Sequence, residues 1–371
     1  MTIEIKEVET KKELKRFIHL PFEIHKGHDN WYSPLLRDEW AFFDEKRNEK
    51  FKSNKTVQLL ALAGKKPVGR IMGIIPEALN KQNGTKTARF GFLECHDDVD
   101  VARALTEYVK IWAEKEGMDK LVGPMGFTDQ DPEGYIIDGF EHKPTIATNI
   151  NLPFIPKLLE NLGFDKEVDY KVLQVPITDK NPPLYDKLRD RILDRGSFKL
   201  VEFGKRSQLK PYVLPILRLM NRTFIDLYGF TVYPDEELNK LAYQYIPLLN
   251  PEFVKVVEVA DKVIGFIVAM PNIDDGLRKA KGRLFPGAIH ILADMKRSTQ
   301  LDLLLGAIDE EYRGKGADIL MGAAMFKSAR KHGFKVFDTH LELESNTKIH
   351  KEMEYAGGKI VKRYRIYKTS I

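Results

Sequence analysis

Apolar and polar positions along the chain switch between a period of two and a period near 3.6, which predicts strands and amphipathic helices in mixed order. Residues 3–8 alternate as a strand, and Lys11–His25 places Leu14, Phe17, Ile18 and Phe22 on one helical face. The segment 26–55 is irregular and rich in aromatics (Trp31, Tyr32, Trp40, Phe42, Phe43, Phe51), residues that anchor a long segment onto a core or line a pocket. Val57–Ala63 and Pro67–Ile75 predict strands around Gly64-Lys65-Lys66, and Ala88–Cys95 a third. Asp100–Gly117 predicts a helix, Leu121 opens a strand, and Gly123–Lys143 reads as a long loop. Pro156–Leu162 predicts a short helix and Tyr170–Val175 a strand.

The second half repeats this order. Strands are predicted at Phe198–Phe203, Phe253–Val259, Val263–Ala269, Leu301–Ile308, Lys335–Leu343 and Tyr364–Lys368. Helices are predicted at Gln208–Leu227, Asp235–Leu249, Asp318–His332 and Lys348–Tyr355. Gly69 and Gly265 stand 196 residues apart, Gly117 and Gly333 216, and Gly163 and Gly357 194. At the last offset Tyr170 meets Tyr364 and Lys171 meets Arg365. Ordered matches of this kind predict duplicated domains. An insertion falls near 272–300, and a compensating one near 122–143. The joint is expected at 177–197, where Pro182 and Pro183 sit and strand periodicity is lost, giving domains 1–180 and 197–371.

Composition narrows the function classes. In 371 residues, 43% are hydrophobic and 30% charged, which fits a folded soluble protein and not a disordered one. Cys95 is the single cysteine, so no intramolecular disulfide and no two-thiolate zinc site can form. Lys and Arg total 59 against 54 Asp and Glu, an interleaved excess of +5 that argues against nucleic acid as a partner. No apolar run is long enough for a span, and the first residues do not read as a signal peptide, so the expectation is a cytoplasmic protein with no membrane partner.

The segment Leu303–Ala317 carries the candidate chemistry. It runs from an apolar strand through an acidic turn to Arg313-Gly314-Lys315-Gly316 and then into a helix. Glycines allow a tight turn, and a helix start offers unpaired N–H donors, so this turn is a candidate pyrophosphate cradle. The structural alternative is a solvated strand-to-helix turn. The pattern is neither a P-loop, lacking Gly-Lys-Ser/Thr, nor the three-glycine dinucleotide fingerprint.

Residues 301–367 resemble the core of the GCN5-related N-acetyltransferase (GNAT) superfamily. Its Q/R-x-x-G-x-G/A signature falls on Arg313, Gly316 and Asp318, the last departing from the pattern. Asn346 and Gly357 fit the downstream pattern, whereas Ile349, Met353 and Gly358 depart from it; Met353 stands where family members often carry a tyrosine acid. The first half resembles the same fold, with Leu159-Glu160-Asn161-Leu162-Gly163-Phe164, but Asp97-Asp98-Val99-Asp100 replaces its cradle. Carboxylates there repel a pyrophosphate by about 1–4 kcal/mol per contact. The whole chain also resembles a bacterial family of tandem-domain proteins that shares Gly123-Pro124-Met125-Gly126-Phe127-Thr128, Gly134, Asp138-Gly139-Phe140 and a C-terminus like Lys362–Tyr367.

The resemblance implies an α/β (α+β) fold of two tandem GNAT-like domains, each a mixed, mostly antiparallel sheet flanked by helices. It implies transfer from acetyl-CoA or another acyl-CoA to a small-molecule amine or peptide, without a metal. One acyl-CoA site is expected, in the second half. Gly306, Ala307 and Ile308 would pair with pantetheine, Arg313, Gly314, Lys315, Gly316, Ala317 and Asp318 would hold the pyrophosphate, and Asn346 would complete the site. An aminoacyl-tRNA-dependent transferase and a CoA- or nucleotide-binding sensor without turnover are the rival readings.

By period two, Val336, Asp338, His340, Glu342 and Glu344 share one strand face, either solvated or lining an acceptor cleft. Glu344 and His340 are the candidate bases, and Tyr355 the candidate acid, with Tyr364 and Tyr367 as alternatives. His25 and His28 have no evident third metal ligand. Cys95 and His96, adjacent on a strand, point to opposite faces. Thr128–Gly134 has calcium-loop composition without the spacing, and reads as a solvated turn.

Overall fold

Apolar alternation becomes an antiparallel meander at the start of the chain, in a computed structural model that describes residues 2–194, 198–245 and 249–371. The first half comprises β1 (Ile3–Glu7), α1 (Lys11–Ile24), α2 (Leu36–Phe43), β2 (Lys55–Ala63), β3 (Lys66–Ile75), α3 (Glu77–Asn83), β4 (Thr87–Cys95), α4 (Val99–Lys115), β5 (Lys120–Gly123), β6 (Tyr135–Asp138), α5 (Phe154–Asn161) and β7 (Asp165–Pro176). Then come α6 (Pro183–Asp194), β8 (Lys199–Glu202), α7 (Arg206–Thr223), α8 (Asp235–Tyr245), β9 (Val254–Val259), β10 (Lys262–Pro271), α9 (Asp274–Ala280) and α10 (Gly287–Arg297). The chain ends with β11 (Gln300–Ile308), α11 (Ala317–Lys331), β12 (Val336–Asp338), β13 (Glu342–Leu343), α12 (Thr347–Tyr355) and β14 (Lys359–Ser370).

All these strands join one sheet in the order β1-β2-β3-β4-β5-β14-β7-β12-β11-β10-β9-β8, with β6 beside β14 and β13 beside β7. Each half is a meander capped by a helix on each face. In the first, α4 covers Leu59, Ile71 and Leu121, and α1 covers Leu60, Met72 and Ile74. In the second, α11 covers Val257, Ile264 and Leu301, and α7 covers Val256, Phe266 and Val268. Among the described residues only β4–β5 and β11–β12 pair in parallel, and each does so for three residue pairs.

The C-terminal strand crosses over: β14 lies between β5 and β7 of the first half, and β7 in turn pairs with β12. Tyr170 and Tyr364, related by the 194-residue offset, are direct cross-strand partners, as are Asp169 and Arg365. The internal repeat is therefore a local twofold relation centred on this pair. Tyr364, Ile366 and Tyr367 are buried, so the exchanged strand is core to both halves.

Three expectations are corrected. The stretch expected to lose periodicity after Pro183 contains α6, whose Tyr185 and Ile192 pack on α11. The helix predicted to Leu249 is described only to Tyr245, and residues 246–248 lie outside the described residues. The strand predicted over Lys335–Leu343 is two short strands. Asp338 pairs with Gln174 but Glu342 with Lys171, so three residues on this chain oppose two on β7. The break is held locally: Thr339 Oγ1 accepts a hydrogen bond from Leu173 N, and His340, at φ 60°, donates its N–H to Asp338 Oδ1. Among the described residues, no helix is long and apolar enough to cross a membrane.

Candidate functional site

The two halves differ where their parallel strands diverge. In the second half β12 stops at Asp338 and turns toward β7, while β11 continues to Ile308. Among the described residues, no strand pairs with positions 303–308 on that side. Gly306 is exposed and Leu305 is 37% exposed. An edge with free N–H and C=O groups can pair with an extended, amide-bearing ligand. A bulge around Leu304, where Val268 faces Leu305 but Ala269 faces Leu303, bends the strand at this point.

From that edge the chain enters the glycine turn. Gly314 takes φ 72° with open space where a Cβ would stand, and Arg313, Gly314 and Lys315 are exposed. Gly316 takes φ 102°, and a Cβ there would lie 2.3 Å from Ile192 Cδ1, so α6 fixes glycine at this position. Gly316 is the N-cap of α11 and provides no side-chain cap. The first amides of that helix are therefore left for another acceptor. Arg313 is held by Ile308 O (3.2 Å) and Glu310 Oε1 (3.1 Å), and Lys315 Nζ sits 5.3 Å from the Tyr312 ring centre. The Oδ1 atom of Asp318 is buried without a hydrogen-bond partner among the described residues. Nearby, Tyr185 donates to Glu352 Oε1 (3.2 Å), and burial reinforced by Asp318 pushes the Glu352 carboxyl up to about 7.

The equivalent places in the first half are closed. Gly123-Pro124-Met125 continues along β4, with Met125 N donating to Phe90 O (2.9 Å). A Cβ on Gly123 would meet Phe90 O at 2.1 Å, and one on Gly91 would meet Met125 O at 2.5 Å, so backbone fills the wedge. The helix start is occupied too: Asp98 Oδ1 accepts from Asp100 N (3.0 Å) and Val101 N (3.4 Å). Asp98 thus places a carboxylate on the amides that an anion would need.

The bottom of the second wedge is a buried polar seam. Asp302 and Asp338 are cross-strand partners, and they and Lys362 are fully buried. Lys362 Nζ donates to Lys143 O (2.7 Å) and Thr145 Oγ1 (3.1 Å) and lies 3.5 Å from Asp338 Oδ2. Asp338 also accepts from Thr145 and Gln174, and Asp302 from Gln300 and Asn272. Burial and the neighbouring Asp338 raise the pKa of Asp302. Sequence reading placed Asp338 on a polar face but did not single out Asp302 or Lys362. For Asp302 the available signal was a single charge inside an apolar strand run; Lys362, beside Arg363 and Arg365 in β14, carries no such signal.

The candidate acid–base groups spread over several places. Register puts Asp338 on the face of Gln174 and Glu342 on that of Lys171, three positions along β7, so these are opposite faces and the shared polar face does not form. His340 sits with the seam, its Nε2 3.0 Å from Ile146 O, and burial lowers its pKa. Glu344 pairs with Lys166 at 2.6 Å. Glu342 accepts from Asn346 Nδ2 (3.2 Å), and burial pushes its carboxyl up to about 7. Tyr355 ends α12 and is 59% exposed, whereas Tyr364 and Tyr367 are core residues.

The loop read as a solvated turn is instead packed inside the protein. Thr128 and Glu133 are buried, and Arg89, buried on β4, donates to Gly126 O, Phe127 O and Gly229 O. Burial pushes the Glu133 carboxyl up to about 8 from an ordinary 4.5. A folded-state pKa above the unfolded one means the native state binds the extra proton between those values. Stability from this group is therefore present at low pH and is lost as pH rises from about 4.5 to about 8. Urea midpoints are expected to fall from pH 5 to pH 8, and Glu133→Gln to flatten the slope by up to about 1.4 kcal/mol per pH unit. An unchanged slope in the variant would remove Glu133 as the cause.

The aromatic segment 26–55 both anchors and encloses. Phe42 and Phe43 pack on Phe92, and Phe22, Trp31, Tyr32, Glu39, Arg70 and Phe92 are among the walls of a cavity of about 230 Å³. Burial pushes the Glu39 carboxyl up to about 7. His25 and His28 face each other with Nδ1 atoms 3.0 Å apart, and Cys95 is a buried thiol pushed up to about 12.

No family model matches the chain. Over nearly its whole length it is similar to two curated proteins. Protein YghO of Escherichia coli is 24% identical over 97% of this chain and 94% of its own. A bacterial ceramide synthase of Caulobacter vibrioides is 24% identical over 98% of this chain and 96% of its own. Among solved structures, a tandem GNAT protein from the clavulanic acid biosynthesis pathway superposes with a TM-score of 0.58 at 12% identity, covering 100% of this chain and 98% of that one. The continuous sheet, the paired wedges and this superposition together show that the chain has the tandem GNAT fold.

Proposed function

We propose that the protein is an acyl-CoA-dependent N-acyltransferase with one coenzyme site, in its second half. The observation that carries this reading is the contrast between the wedges. The second has a free strand edge at 303–308 leading into an uncapped glycine turn, while in the first half the edge is filled and the helix is capped by Asp98. Gly306, Ala307 and Ile308 would pair with the pantetheine amides, residues 313–318 would hold the pyrophosphate, and Asn346 would stand at the far wall. The acyl-CoA, acetyl-CoA or a longer thioester, brings the activated carbonyl. An amine attacks it, the C–N bond forms, the C–S bond breaks, and the ammonium proton passes to a base.

Glu342 joins Glu344 and His340 as a proposed base. A carboxyl near 7 is matched to taking a proton at neutral pH, whereas Glu344 is held by Lys166 and His340 by a carbonyl. Tyr355 remains the proposed acid. The similarity to a ceramide synthase supports a long-chain amine as the acceptor class. The test is release of free thiol from acetyl-CoA and palmitoyl-CoA by the full chain, with and without long-chain amino alcohols, polyamines and peptides. Amine-dependent thiol release supports the reading. A second reading, a CoA sensor, is favoured by the buried, unsatisfied Oδ1 of Asp318 at the helix mouth and by Met353 packed against the α11 core. Thermal stabilisation by CoA without thiol release from any amine would select it.

A further inference from the structure

The insertion between β10 and β11 folds as a helical hairpin with one face left bare. Gly287 of α10 packs against Ala280, and Ile291 and Met295 join Tyr32, Ile273 and Leu277. On the other side Phe285, Ile289 and Leu292 are 80%, 58% and 60% exposed, and Leu284 is 44% exposed. Ile289 and Leu292 lie three apart on one face of α10, and Leu284 and Phe285 stand in the turn just before it. Together they form an exposed apolar stripe.

Exposed cations flank the stripe. Lys279, Lys281 and Arg283 precede it and Lys296 and Arg297 follow it, and among the described residues none of the five has an ion-pair partner. The nearby acids are engaged inward: Asp274 and Asp275 hold Arg278, and Asp294 accepts from Gly276 N. Pairing of two copies through this stripe would bring like charges together at both ends. An anionic lipid surface satisfies both features, with apolar side chains at the acyl boundary and cations among the headgroups.

We propose that α10 and the turn before it dock on an anionic lipid surface. The turn is rigidly mounted, because Leu36 N donates to Gly282 O (2.8 Å) and a Cβ on Gly282 would lie 3.0 Å from Ser33 Oγ. Ser33 and Phe22, which meet this turn, also line the 230 Å³ cavity, so docking sets that cavity beside the lipid. The sequence reading expected no membrane partner because no run is long enough to span. An interfacial stripe needs no such length. The proposal stands apart from the acyltransferase reading, since binding to vesicles requires no thioester.

The test is co-sedimentation of the full chain with vesicles of phosphatidylcholine alone or with about one-third phosphatidylglycerol. The chain is expected to sediment with the anionic vesicles and to be released by salt. F285S/I289S/L292S is expected to lower partitioning about tenfold or more. K281E/R283E is expected to lower it by about fivefold per residue and to weaken the preference for anionic lipid. All substituted positions are exposed, so thermal melts should match wild type. Failure of the wild-type chain to bind anionic vesicles overturns the proposal, as does binding unchanged in both variants. A dimer that the triple variant converts to monomer, with vesicle binding unaffected, would assign the stripe to a protein interface instead.

Discussion

Lys362→Met is expected to destabilise the fold by about 3–5 kcal/mol, the range for removing one partner of a buried ion pair. Lys362 is fully buried, donates to the Lys143 carbonyl and the Thr145 hydroxyl, and is the cation facing Asp338. Without it, Asp338 keeps only neutral donors beside a second buried carboxyl, Asp302. The seam also joins β11, β12, β7 and β14, so the loss falls where the exchanged strands meet. In urea denaturation, D338N/K362M should recover a substantial part of the loss, because the unpaired charge is gone. A K362M midpoint within about 1 kcal/mol of wild type would mean that the pair does not hold the seam.

Gly314→Asp is expected to weaken acetyl-CoA binding by at least about tenfold, corresponding to about 1.4 kcal/mol or more, while leaving the thermal midpoint within a few degrees. Space beside Gly314 is open, and Asp tolerates a left-handed conformation better than most residues, so the fold loses little. Gly316→Asp is the less informative change. It would drive side-chain atoms into Ile192 and disturb α6 on α11, confounding binding with folding. Titration calorimetry with acetyl-CoA reads the effect, and unchanged affinity in G314D would move the anion away from this turn.

Much of the fold was legible because strand and helix periods are local. The meanders, both central helices and the 194-residue offset follow from residue spacing. The exchange of β14 was not, since apolar alternation at 364–368 names a strand but not its neighbours. The helix α6 was missed because Tyr185, Leu188 and Ile192 are spaced among charged residues after two prolines. The polar face read over 336–344 failed for one reason: a single extra residue between Asp338 and Glu342 reverses the side on which each later side chain stands.

Chemistry was legible where it is local and hidden where it is paired at long range. The glycine turn at 313–316 is contiguous, and so is the aspartate run that caps α4. Asp302, Asp338 and Lys362 come from three strands, and no spacing rule connects them. Thr128–Gly134 reads as a solvated turn by composition. Only the fold brings the Arg89 guanidinium beneath it and takes Glu133 out of water.

The most direct measurement is a crystal structure of the full chain grown with CoA. The account predicts one coenzyme per chain, its pantetheine along residues 306–308 and its pyrophosphate on the amides of 314–318. A coenzyme seated in the first half near Asp98, or a turn at 313–318 left bare while CoA binds elsewhere, would contradict it.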